Sequence, residues 1–79
     1  MDNLSKYNNV FIEALGVDEN DLGPNFTNQN VGEWDSVGHM SLISLLEEEF
    51  DIMLDPDDLM LITSYESGKK VLEKYDINI

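Results

Sequence analysis

Apolar residues recur at three- and four-residue spacing in three stretches of the chain, each bounded by residues that start or stop helices. In the first, Leu4, Tyr7, Phe11, Ala14 and Leu15 share a face with Val10 beside them, which predicts a helix over 3–15. Asp2 is placed to cap its start, and Gly16 follows its last apolar residue as a helix-ending glycine does. In the second, Val37, Met40, Ile43 or Leu42, Leu46 and Phe50 predict a helix over 36–50. Asp35 is its N-cap, because a carboxylate there accepts from N–H groups that have no partner inside the helix. In the third, Tyr65, Gly68, Val71, Leu72 and Tyr75 predict a helix over about 64–75, opened by a capping box in which Thr63 caps and Glu66 reaches back. Gly68 lies on the apolar side, where it permits a close helix approach, and Lys69, Lys70 and Lys74 suit the negative C-terminal end.

Between the second and third stretches, Asp55-Pro56 reads as a cap followed by proline at the first helical position. A short helix over about 56–61 follows, with Leu54, Leu59 and Ile62 inward and Asp57 and Asp58 in the first turn, where the helix dipole favours them. Residues 16–35 show no sustained helical pattern, and a connection of that length is often functional. Val17, Leu22, Phe26 and Val31 are its available pins. Its segment from Asp18 resembles a calcium loop only briefly, since Leu22 and Gln29 stand where oxygen ligands are required. The expectation is a single domain over 1–79: an all-α, small four-helix bundle of three longer helices and a short third one, with a long loop between the first two and a tail from Asp76 to Ile79.

Composition narrows the chemistry. The 79 residues contain no cysteine and one histidine, so neither a disulfide nor a thiolate or multi-histidine metal site is expected. No signal peptide or membrane-spanning segment is legible, which makes a cytoplasmic location the default. Against 17 acidic residues stand 4 lysines and no arginine, a net charge of −13. Residues 1–62 carry all of it, with Lys6 against fourteen acids, while residues 63–79 sum to zero. Phosphate repulsion disfavours nucleic-acid binding, and basic protein partners are favoured by steering.

Ser36 projects from the start of the second helix, beside Trp34 and next to the positive end of the helix dipole, where a phosphate is favoured. No catalytic set accompanies it. His39 is three residues on and within reach, but nothing orients its imidazole and nothing supplies an oxyanion hole, so an enzyme is not expected. An exposed serine without an activator reads as a residue modified by another protein. Gly38, inside the first turns, costs about 1 kcal/mol against alanine and calls for a reason. Glu47, Glu48 and Glu49 crowd the negative end of the same helix, a cost consistent with acid displayed to something else.

These features together resemble the acyl carrier protein family. Asp35-Ser36-Val37 looks like the family's Asp-Ser-Leu with valine for leucine, and the run to Leu46-Glu47-Glu48-Glu49-Phe50-Asp51 is similar to its recognition helix. Leu15-Gly16-Val17, the Pro56 region and Ile62-Thr63 fall in register, so the resemblance covers nearly the whole chain. It implies a covalent 4′-phosphopantetheine arm on Ser36, flanked by Asp35 and Val37 and attached by a separate transferase that uses coenzyme A and magnesium. It further implies an acyl or aminoacyl thioester on the arm, delivered by a monomeric carrier to enzymes with basic patches. Candidate partner contacts are Glu33, Trp34, Val37, His39, Met40, Glu47, Glu48 and Asp51. Family members of fatty acid synthesis carry more acid along the front of this helix, where Gly38, His39, Ser41 and Ser44 stand here, and a small residue where Trp34 stands. Those departures point to a dedicated carrier for a specialised pathway, with Trp34 packed against the arm or a partner. The alternatives are an acidic nucleic-acid mimic and a small helical adaptor, neither with a prosthetic group.

Overall fold

In the computed structural model, which describes residues 2–79, four helices follow one another: α1 (Asn3–Leu15), α2 (Ser36–Phe50), α3 (Pro56–Leu59) and α4 (Tyr65–Glu73). A 3-10 turn at Glu19–Asp21 interrupts the long connection, and no strand occurs among the described residues. The chain is thus the small all-α bundle that its periodicity implies.

The ends of α1 follow from its caps. The Asp2 carboxylate accepts from the Ser5 amide at 2.8 Å, and Gly16, at φ 66°, turns its amide back onto the Ile12 carbonyl at 2.9 Å. Only glycine takes that backbone shape without steric cost. α1 packs on α2 and buries Tyr7, Val10, Phe11 and Leu15 in the core, whereas Leu4, expected on the same face, is 42% exposed. α2 buries Gly38, Leu42, Ile43 and Leu46, and Phe50 is half-buried. Val37 and Met40 do not join that stripe; they point to solvent.

The two shorter helices depart from the sequence expectation in instructive ways. α3 ends at Leu59 and not at 61, because the Leu61 amide turns back to the Asp58 carbonyl and the Thr63 amide to the Leu61 carbonyl, both at 3.0 Å. Asp55 stands before Pro56 but makes no side-chain cap. The capping box of α4 is shifted by one residue. Ser64, not Thr63, is the N-cap, and Ser67, not Glu66, closes the box, with the Ser67 amide donating to Ser64 Oγ at 2.9 Å and the Ser64 amide to Ser67 Oγ at 3.0 Å. The long loop accounts for the shift. The Asn28 amide donates to the Thr63 carbonyl and the Tyr65 amide to the Phe26 carbonyl, each at 2.9 Å, an antiparallel bridge that holds Thr63 and Ser64 extended. In the same loop, Asp18 and Asp21 spend their carboxylates capping the 3-10 turn. The last residues are not a free tail: Ile77 is buried, and the Asn3 side-chain amide donates to the Asn78 carbonyl at 3.0 Å.

Aromatic rings fill the centre. Phe11 meets Tyr7 at 4.9 Å between centroids, Trp34 and Tyr65 at 5.6 Å and Phe26 at 5.8 Å, mostly edge to face. The Tyr7 hydroxyl donates to the Tyr65 carbonyl at 2.6 Å, and burial pushes its ionisation far above the ordinary phenol range. Gly68 faces that hydroxyl directly.

Among the described residues, one charged side chain is in the interior. Asp58, in the first turn of α3, is 3% exposed and accepts from Lys74 Nζ at 2.5 Å and from the Tyr75 hydroxyl at 2.6 Å. Lys74, expected to serve the negative end of α4, therefore reaches across to α3. The Lys74 hydrogen bond, with that of Tyr75, holds the Asp58 carboxyl below its ordinary 3.8. A carboxylate whose folded value is depressed stabilises the fold at pH above its unfolded value, and that contribution disappears as pH falls through the folded value. Wild type and an Asp58→Asn variant should therefore differ in urea stability by a constant amount down to pH 3.8 and converge below it. A gap that persists undiminished to about pH 2 contradicts this role.

The net charge of −13 places most carboxylates among like charges, with four lysines to offset them. Screening relieves such repulsion. Sodium chloride, and divalent cations more strongly, should raise the melting temperature by several degrees; a flat or falling curve contradicts the charge reading.

Candidate functional site

The connection from Val31 to Asp35 turns the chain into α2. The Trp34 amide donates to the Val31 carbonyl at 3.1 Å, closing a tight turn, and Asp35 takes an extended backbone with its carboxylate on the Gly38 amide at 2.8 Å. Ser36 is then the first helical residue. Its side chain is exposed, and no hydrogen bond engages its hydroxyl among the described residues. The Ser36 and Val37 amides belong to the set a helix leaves unpaired at its start, so they face outward with partial positive charge. An anion on Ser36 Oγ would meet these donors.

Gly38 now has its reason. A Cβ there would collide with the Glu33 carbonyl oxygen and come within 2.9 Å of Leu15 Cδ2, so the turn before Ser36 packs directly on the backbone of α2. Glycine weakens the helix but lets the loop hold Ser36 in place.

Trp34 requires a correction. Expected at the surface against an arm or a partner, it is 4% exposed and belongs to the aromatic core. Its indole N–H donates to His39 Nδ1 at 3.0 Å, and the two rings stack with 20° between their planes. His39 Nε2 lies 3.0 Å from the Leu59 carbonyl. An indole nitrogen can only donate and a carbonyl can only accept, so in this arrangement Nδ1 accepts and Nε2–H donates. Both ring nitrogens are committed, and His39 is no base for Ser36.

Beside Ser36 an open recess of about 590 Å³ lies between the start of α2, α3 and the loop. Trp34, His39 and Ile62 form its inner side, and Met40, Leu59 and Met60 its flanks. Met40 also borders a second groove of about 530 Å³, shared with Val37 and with Ala14 of α1. Val37 is 74% exposed, Met40 71% and Met60 80%, an unusual display of large apolar groups in so polar a surface. Around them lie exposed Glu33, Asp35, Glu48 and Asp51. Glu47 is used differently: its carboxylate accepts from the Leu54 amide at 2.8 Å and fixes the link to α3. Of the expected contacts, Glu33, Val37, Met40, Glu48 and Asp51 are thus exposed, His39 is half-buried, Glu47 is tied inward and Trp34 is in the core. Asn28, Met60 and Thr63 also line the recess and are not among the site residues the sequence suggests. Met60 carries a weak signal, an exposed methionine just past a proline-started turn; Asn28 and Thr63 carry none.

The class defined here is a small helical domain presenting one unengaged hydroxyl at a helix start, on an acidic surface studded with methionines. Residues 9–67 match the model of the family described as phosphopantetheine attachment site. Over 72 residues, 91% of this chain and 87% of the relative, the sequence is 33% identical to an acyl carrier protein of Karelsulcia muelleri (strain GWSS). The chain belongs to the acyl carrier protein family and is a phosphopantetheine carrier. Its cofactor is covalently attached 4′-phosphopantetheine, and family members work with a phosphopantetheinyl transferase and acyl-handling enzymes. No helix among the described residues is long and apolar enough to cross a membrane.

Proposed function

We propose that this chain holds acyl or aminoacyl groups as thioesters on a phosphopantetheine arm at Ser36 and delivers them, as a monomer and without catalysis of its own, to enzymes that dock on α2. The observation that carries the reading is the placement of Ser36: first residue of a capped helix, exposed, its hydroxyl unengaged, on the lip of a recess. The residues fit the group. Ser36 Oγ supplies the phosphodiester link, the outward amides of Ser36 and Val37 meet the phosphate, and no side chain obstructs the hydroxyl. When bound, the arm supplies a thiol that carries the acyl group.

The chain's own contribution is recognition. Glu33, Asp35, Glu48 and Asp51 attract basic patches, and Val37, Met40 and Met60 give a partner apolar surface to cover. Glycine, histidine and serine at 38, 39, 41 and 44 leave the front half of α2 with no acid of its own, which supports a dedicated carrier over a general fatty-acid one. The two readings without a prosthetic group assign Ser36 nothing to do. Incubation with coenzyme A, magnesium and a promiscuous phosphopantetheinyl transferase should add the mass of a single arm to the wild type and none to Ser36→Ala. An unmodified wild type, or a modified Ser36→Ala, overturns the assignment.

A further inference from the structure

The recess beside Ser36 does not run on into the bundle. Its inner side is made by Trp34, His39 and Ile62, while the rings behind them, Tyr7, Phe11 and Tyr65, do not reach it. Phe11 lies against the far side of the indole, 5.6 Å between centroids. A chain entering from the Ser36 side therefore meets the stacked indole and imidazole first. The pair is held from three directions. Trp34 is anchored in the loop by its backbone bond to Val31, His39 is carried by α2, and its Nε2–H donates to the Leu59 carbonyl at the end of α3. One imidazole thus ties together the loop, α2 and α3 around the mouth of the site.

We propose that Trp34 and His39 form a latch that keeps the bundle interior closed to the cargo, so that the group carried on Ser36 is a short or polar acyl group lodged in the outer recess and not a long alkyl chain. The inference rests on the carrier reading of Ser36. The recess has the mixed character such cargo needs. Met40, Leu59 and Met60 offer apolar contact, while the Asn28 amide and the Thr63 hydroxyl stand at its border with no internal hydrogen bond to their side chains among the described residues. A long chain has no continuous apolar path from there, because the interior volume is already taken by five rings in mutual contact. His39 acts here as a positioning residue, through the indole it holds.

The test loads the full chain with acetyl-, hexanoyl- and dodecanoyl-phosphopantetheine from the matching coenzyme A thioesters, with loading verified by intact mass. Failure to load counts against the carrier reading and is seen in the mass spectrum, separately from any change in melting or quenching. The chain has a single tryptophan, so acrylamide quenching of its fluorescence reports on the latch. The three loaded proteins should share one melting temperature and one quenching constant. In His39→Leu, which can neither accept from the indole nor donate to Leu59, the dodecanoyl form should melt roughly 5 °C or more above the acetyl form as the chain gains burial. In that variant Trp34 quenching should depend on chain length. His39→Gln, which retains an acceptor and a donor, should restore wild-type behaviour; should His39→Leu fail to fold, Trp34→Phe, which removes the indole N–H and part of the ring, takes its place with the melting temperature as its sole readout, since it leaves no tryptophan to quench. A wild type that is stabilised and shielded progressively from acetyl to dodecanoyl overturns the proposal. So does a latch-free variant that remains indifferent to chain length.

Discussion

Replacing Gly68 with alanine should destabilise the fold by about 2–4 kcal/mol, although alanine is the better helix former by about 1 kcal/mol. The new methyl would strike the Tyr7 hydroxyl, with Tyr7 Cζ at 3.3 Å and Ile62 Cγ2 at 3.5 Å behind it. Tyr7 cannot retreat, since its ring is fully buried against Phe11 and Tyr65. Its hydroxyl must leave the Tyr65 carbonyl and is then buried without an acceptor, and an unmade buried hydrogen bond costs about 1–3 kcal/mol. The interaction is testable as a cycle. In a Tyr7→Phe background the obstructing oxygen is gone, so Gly68→Ala should cost clearly less than in the wild type when both are measured by urea denaturation. Additive effects would show that the hydroxyl is not what Gly68 accommodates.

Trp34→Ala should cost about 3–5 kcal/mol, the range for removing a large buried aromatic. A domain of this size has about 4–12 kcal/mol in total, so the variant should be partly unfolded at ordinary temperature. The loss is more than volume. Phe11 and Phe26 each lose a ring neighbour, and His39 Nδ1 loses its donor beside the recess. Trp34→Phe keeps most of the packing and should cost less than half as much. A Trp34→Ala protein with the wild-type urea midpoint would restore the indole to the surface, where the sequence alone suggests it.

The indole shows where the sequence stops being legible. The helical stripes of α1 and α2 and the glycine after α1 are local signals, and the structure places those helices where the signals lie. Trp34 stands alone between Glu33 and Asp35 in a loop, with no periodic partner, so only the tertiary cluster around Phe11 reveals that it is core. The cap of α4 differs from its expected position for a related reason. Thr63 and Ser64 are both competent caps, and the choice is made by Phe26 and Asn28, more than thirty residues earlier, through the bridge to the loop. Asp58 reads as an ordinary first-turn acid, and its burial depends on Lys74 and Tyr75 arriving from beyond α4. Ser36 is legible because its setting is local: a capping aspartate, a helix start and a polar approach. The recess beside it is not, because Asn28 comes from the long loop and Met60 and Thr63 from the link between α3 and α4, more than thirty residues later.

Six serines offer hydroxyls, at positions 5, 36, 41, 44, 64 and 67, and one of them has the setting for the arm. Ser41 and Ser44 are exposed on α2 itself but lie within the helix, away from its unpaired amides; Ser64 and Ser67 are committed to each other in the capping box. The decisive measurement is tandem mass spectrometry on the transferase-treated wild type, locating the phosphopantetheine adduct to a single residue. The carrier reading predicts it on Ser36 and nowhere else; an adduct on Ser41, Ser44 or any other serine would contradict it.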